Sequence, residues 1–208
     1  PTYEYNVDQS FLLKKTIFMP HEKNAVVVVY DVANSANSDV KFRAFPLLSW
    51  RHFHAVVDRW KTPVEFSQKQ EGRQVEIIFK FPTSALELTA TDGHFVPKQN
   101  WIERVFFREE AERGESCVDD EFQPGFFEVA VKAGRREGFA VVAATDRDVD
   151  SARKLLAAMP TTTYDAKMLL DMETRRCQRQ ISAFYENTGA SVYDWLSWLI
   201  LGANAFVV

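Results

Sequence analysis

Between Tyr3 and about Thr145 the side chains alternate between apolar and polar with a period of two, and beyond Thr145 the rhythm turns helical. That change limits the fold more than anything else in the sequence. A period of two marks strands with one buried face, whereas recurrences at three, four and seven mark helices. The alternation predicts ten strands, over residues 3–8, 11–19, 25–32, 40–48, 64–70, 74–81, 86–91, 101–107, 126–132 and 139–144. The connections at Asn34 to Asp39, Glu71-Gly72, Thr91-Asp92-Gly93 and Ala133-Gly134 carry turn residues, so the strands are expected to pair as hairpins in a mainly β antiparallel sandwich. The unbroken apolar run from Ala25 to Tyr30 predicts a central strand covered on both faces.

After Thr145 three helices are expected. Asp148 or Asp150 can cap the first, from Ser151 to Met159, and Pro160 ends it. The second starts near Thr163. Ala166, Leu170, Cys177, Ile181 and Phe184 share a stripe, with Arg175, Arg176 and Arg179 elsewhere, as in a linker helix lying across the sandwich. Gly189 breaks it, and Ser191 can cap a third helix running from Val192 toward Val208. There Trp195, Leu196, Trp198, Leu199, Ile200, Leu201 and Phe206 cover most of the circumference. A helix apolar all round belongs inside a larger body or in a membrane. This one falls short of the roughly 20 residues a span needs and has no basic stop, which favours a buried helix whose partners lie outside the segment over a tail anchor.

The bulk numbers exclude several classes. A chain of 208 residues at 46% hydrophobic and 26% charged supports one large β domain or two small ones. The net charge of -4, with Lys and Arg scattered among acids, offers no field for a phosphate backbone, so nucleic acid is not expected as a partner. Two cysteines, Cys117 and Cys177, imply no disulfide framework, and no signal segment opens the chain, from which the expected compartment is the cytoplasm. Neither a phosphate loop, a serine nucleophile elbow nor a zinc-binding His pair occurs, so no cofactor or metal is expected.

Two clusters carry chemistry. The first, Phe45-Pro46-Leu47-Leu48-Ser49-Trp50-Arg51-His52-Phe53-His54, leaves a strand for a loop. Trp50 could offer a face to a pyranose ring while Arg51 or His54 donates to hydroxyls; equally, Trp50 and Phe53 could pack the corner. The second runs from Arg108 to Gly125 and holds Glu109, Glu110, Glu112, Glu115, Asp119, Asp120 and Glu121. Its spacing does not suit an EF-hand calcium loop, and it reads as a solvated acidic loop in which Pro124-Gly125 turns into the next strand. Arg113 is the cation expected to fix it by pairing with one of the acids. No pair of carboxylates is recognisable at glycosidase spacing, so no residue is assigned a catalytic role.

In this order and separation, the two clusters resemble the amino-terminal domain of bacterial and archaeal amylo-α-1,6-glucosidases, the glycogen debranching enzymes. Phe18-Met19-Pro20-His21-Glu22-Lys23-Asn24 leading into Ala25–Tyr30 is similar to that family's strand, turn and strand. The segment from Phe45 to His54 is similar to its arginine-bearing loop, with His52 where an acid is usual. Glu110-Ala111-Glu112-Arg113-Gly114 followed by Val118-Asp119-Asp120-Glu121-Phe122-Gln123-Pro124-Gly125 is the most specific match, and Ala203-Asn204-Ala205-Phe206 resembles the opening of a barrel's first helix.

The resemblance implies a supersandwich of the galactose-mutarotase-like, glucoamylase N-domain type over residues 1–146, lacking its first strands, a helical linker over 147–188, and over 189–208 the first helix of an α/α barrel. It further implies a non-catalytic domain that shapes or covers the α-glucan cleft of a glycogen-debranching α-1,6-glucosidase. The partners would be glycogen or branched dextrin and the catalytic barrel of the same polypeptide, with association through the apolar last helix and no membrane contact. Residues expected near substrate are Trp50, Arg51, His52, His54, Glu112, Arg113, Asp119 and Asp120. Two other readings stay open: a free-standing α-glucan-binding sandwich, and a mutarotase-like enzyme, which would need a His and a carboxylate facing one another across a sheet.

Overall fold

The computed structural model describes residues 1–8, 10–52, 55–61, 64–80 and 83–203. Among them run β1 (Thr2–Asp8), β2 (Phe11–Phe18), β3 (Ala25–Asn34), β4 (Val40–Ala44), β5 (Phe66–Glu71), β6 (Gln74–Phe79), β7 (Ser84–Ala90), β8 (His94–Phe106), α1 (Arg108–Glu112), β9 (Val118–Val131), β10 (Arg135–Asp146), α2 (Val149–Ala157), α3 (Thr163–Thr188) and α4 (Asp194–Ala203). All pairings are antiparallel. A seven-stranded sheet in the order β1-β2-β3-β10-β7-β6-β5 faces a three-stranded sheet in the order β4-β9-β8. The sandwich expected from the alternation is therefore the observed architecture.

Between the sheets lies a core of Val32, Val75, Ile77, Phe79, Leu88, Phe95, Phe127, Val131, Phe139 and their neighbours. Tyr30 joins it, stacked on Phe139 with ring centroids 5.0 Å apart. Burial, and next the nearby Tyr5, push its phenol up to about 12. The other face of β3 and β10 contributes Ala25, Val27, Val29, Ala140, Val142 and Ala144 to a second core under the helices. β3 is thus covered on both sides, as its unbroken apolar run predicts.

Helix α2 is a third layer of the domain. Asp148 caps it by accepting from the Ser151 amide at 2.8 Å, and Ala152 and Leu156 are buried against the sheet. α3 is capped by Thr162, whose hydroxyl accepts from the Asp165 amide, and closes on Gly189 at φ 62. Only its first turns sit on the sandwich: Ala166 is buried, Lys167 pairs with Asp31 at 2.6 Å, and Thr163 donates to the Gly138 carbonyl. Farther along, α3 packs with α4. The five residues from Asn204 to Val208, on which part of the barrel resemblance rests, lie outside the described residues.

Three expectations are corrected. β8 begins at His94, seven residues before the expected start, because an edge strand tolerates Pro97 at an irregularity in the β8–β9 register. β4 ends at Ala44, and Leu48 keeps one isolated bridge, to Phe122. The supposed acidic loop is a short helix, α1, followed by the start of β9, which runs straight through Pro124 and Gly125. Gly125 sits at φ +153, where a Cβ would drive into the Val96 carbonyl and the Phe95 ring, so β8 and β9 meet there only because the residue is glycine.

Candidate functional site

The two sequence clusters meet at the start of β9. The loop after β4 is laced to it by reciprocal backbone bonds between Leu48 and Phe122 and by the Asp120 amide donating to the Val57 carbonyl. Asp119, fully buried, gathers three donors: the Arg51 Nε at 2.5 Å and the Ser49 hydroxyl at 2.9 Å on Oδ2, and the Val57 amide at 2.6 Å on Oδ1. Asp120 points to the opposite face, as neighbouring strand residues must. It accepts from the Arg59 amide at 2.9 Å and the Arg104 amide at 2.8 Å. The second bond holds Arg104 at φ 59, an unusual backbone for a non-glycine residue. Beside the clamp, burial first and then the Asp119 charge raise the Glu121 carboxyl above its ordinary range, with Arg51 pulling the other way.

The predicted site residues separate into three groups. Arg51 and Asp119 meet in the clamp, while Asp120 turns to the other face of β9 and holds the Arg59 and Arg104 amides. Trp50 instead stacks flat on Phe79, centroids 4.5 Å apart and planes 11° apart, with its indole N–H buried and without a hydrogen bond among the described residues, so its ring packs the corner. His52 is exposed and His54 lies outside the described residues. Glu112 and Arg113 stand exposed at the end of α1. The expected Arg113 pairing is corrected: among the described residues it makes no ion pair, and Arg108 is the cation that reaches Glu109 and Glu112. The cation that fixes the start of β9 is Arg51, brought in from a distant loop, and no local pairing rule could have named it.

Sequence reasoning also missed Trp60. Its ring is 75% exposed, and the Arg59 guanidinium lies over it at 4.5 Å and over Trp101 at 5.6 Å. Arg59 is itself paired with Glu103 at 3.2 Å. Next to it opens a cleft of about 240 Å³ lined by Val57, Asp58, Trp60, Glu103, Arg104, Val118 and Asp120.

Two further arrangements bear on chemistry. Glu76 and Glu87 lie directly opposite on β6 and β7, both buried, beneath Arg153 of α2, which reaches Glu76 at 2.5 Å and Glu87 at 3.3 Å. Burial foremost raises the Glu87 carboxyl. On the outer face of the small sheet His94 stands across from Glu128, 3.9 Å away, the geometry that a mutarotase-like enzyme would require. Hydrogen bonds from Lys41 and Arg43, however, hold the Glu128 carboxyl below its usual range, which makes it a weak base. Among the described residues no cluster suits a metal ion, and no helix is long and apolar enough to cross a membrane.

Residues 1–137 match the family model described as glycogen debranching enzyme N terminal. No curated protein sequence shows a significant match. Among solved structures, the chain is similar to a polysaccharide lyase at 13% identity, over 75% of this chain and 23% of that one, with a TM-score of 0.44. It is similar to a protein described as a kojibiose phosphorylase from human microbiome at 8% identity, over 81% and 22%, with a TM-score of 0.46. A bacterial glucoamylase complexed with acarbose matches at 12% identity, over 85% and 27%, with a TM-score of 0.41. The chain spans about a quarter of the length of these solved proteins.

Proposed function

The chain belongs to the glycogen debranching enzyme N-terminal family, and from that premise we propose that it is the glucan-facing domain of a cytoplasmic α-1,6-glucosidase. It shapes or covers the cleft of a helical barrel and performs no bond cleavage itself. The observation that carries this reading is the buried Arg51–Asp119 clamp, which joins the family's two sequence clusters into one rigid corner. A buried carboxylate held by a partly buried guanidinium and backed by two further donors is a means of holding a loop in a fixed place, as a binding wall requires. Asp119, Asp120 and Arg51 are the residues that set the wall. His52, Glu112 and Arg113 belong to the surface it presents, and Trp50 supports that surface from within.

The barrel of the same polypeptide is assigned to the last helix. Trp195, Trp198 and Leu199 of α4, with Val192 and Tyr193 just before it, are all more than half exposed, an apolar surface that suits a large helical partner. Calorimetric titration with maltoheptaose tests the glucan half of the proposal. Saturable binding that weakens in Arg51→Met is expected, and absence of binding to any α-glucan would remove this half.

A further inference from the structure

Resting on that glucan reading, we propose that Trp60 and the adjoining cleft form a carbohydrate subsite, in which one glucosyl unit of an α-glucan stacks on the open face of Trp60 while Asp58, Glu103 and Arg104 bind its hydroxyls. An indole left 75% exposed has an unused apolar face. Large exposed aromatics cost solvation, and a flat ligand with an apolar C–H face is what they complement.

The platform is prepared in advance. Arg59 lies over the Trp60 ring and is held by Glu103, while its backbone is fixed by Asp120. The Trp60 amide donates to Asp58 at 3.1 Å, and Lys61 pairs with Asp58 at 2.8 Å. A ring covered on one face by a paired guanidinium, on a backbone held by Asp58, loses less freedom when a ligand arrives, which favours affinity in a small site.

Charge and size narrow the ligand. Asp58, Glu103 and Asp120 are matched by Arg59, Lys61 and Arg104 around the cleft, so the local field is balanced and favours a neutral, hydroxyl-rich molecule over a phosphate or an ammonium. At about 240 Å³ the cleft is smaller than the roughly 300 Å³ at the low end of drug-sized sites, enough for one ring of a longer chain. Arg104, tipped into left-handed backbone by its bond to Asp120, lines the same cleft.

The test is calorimetry of the chain and its Trp60→Ala, Trp60→Phe and Glu103→Gln variants with maltoheptaose and, separately, with cellohexaose. Trp60 is exposed, so its replacement leaves the fold intact. Trp60→Ala is expected to bind maltoheptaose about tenfold more weakly, with Trp60→Phe recovering most of the loss. Equal affinity in Trp60→Ala overturns the subsite while leaving the glucan reading in place. Binding of cellohexaose alone, dependent on Trp60, keeps the platform and overturns its assignment to α-glucan. Binding of neither sugar overturns the subsite.

Discussion

Asp119 and Glu87 are both fully buried carboxylates, yet their surroundings give them opposite effects on stability. Asp119 is satisfied by a guanidinium, a hydroxyl and an amide. Removing it leaves three donors without their acceptor, one of them charged, so Asp119→Ala is expected to cost about 3 to 5 kcal/mol in denaturant unfolding. Glu87 faces a second carboxylate, Glu76, under one shared arginine; its Oε2 accepts from Gln74 at 3.0 Å, while its Oε1 has no hydrogen bond among the described residues. Because burial raises its folded-state pKa, the folded protein holds that proton more tightly than the unfolded chain does. The resulting stabilisation is present below the unfolded carboxylate value and is lost as pH rises through the folded one. Glu87→Gln is therefore expected to raise the Tm relative to wild type at neutral pH, with the difference shrinking toward about pH 4. Thermal melts across that range check it, and a variant less stable at every pH would contradict it.

At the scale of elements, the β8–β9 pair shows where local patterning is enough and where it is not. Gly125→Ala places a Cβ on the Val96 carbonyl at a φ that suits glycine alone, so a loss of about 3 kcal/mol or more is expected by denaturant titration. At the start of α3, Thr162→Ala removes a cap and should weaken that helix by about 1 kcal/mol. Most of α3 lies off the sheets, so amide exchange in its first turn is the appropriate readout. The ten strands and the ends of α2 and α3 were legible in the sequence, because alternation, Asp148, Thr163 and Gly189 are local signals. The beginning of β9 was not. Asp119 and Asp120 look like solvated acids until a loop some seventy residues upstream supplies Arg51 and two backbone amides. Trp50 and Trp60 are likewise alike in sequence; contact with Phe79 makes one a core residue and leaves the other a candidate platform.

For the whole molecule, three layers of structure leave two unlike surfaces. One is the polar corner built on Arg51, Asp119 and Trp60; the other is the aromatic face of α4. The second should make the isolated chain self-associate, with Trp198→Glu shifting sedimentation toward monomer. The first is the part of the account on which the function depends, and the most direct test is affinity electrophoresis of the chain in a native gel containing glycogen. The account predicts that glycogen retards the wild-type chain relative to a glycogen-free gel. Unchanged mobility across rising glycogen concentrations would contradict it.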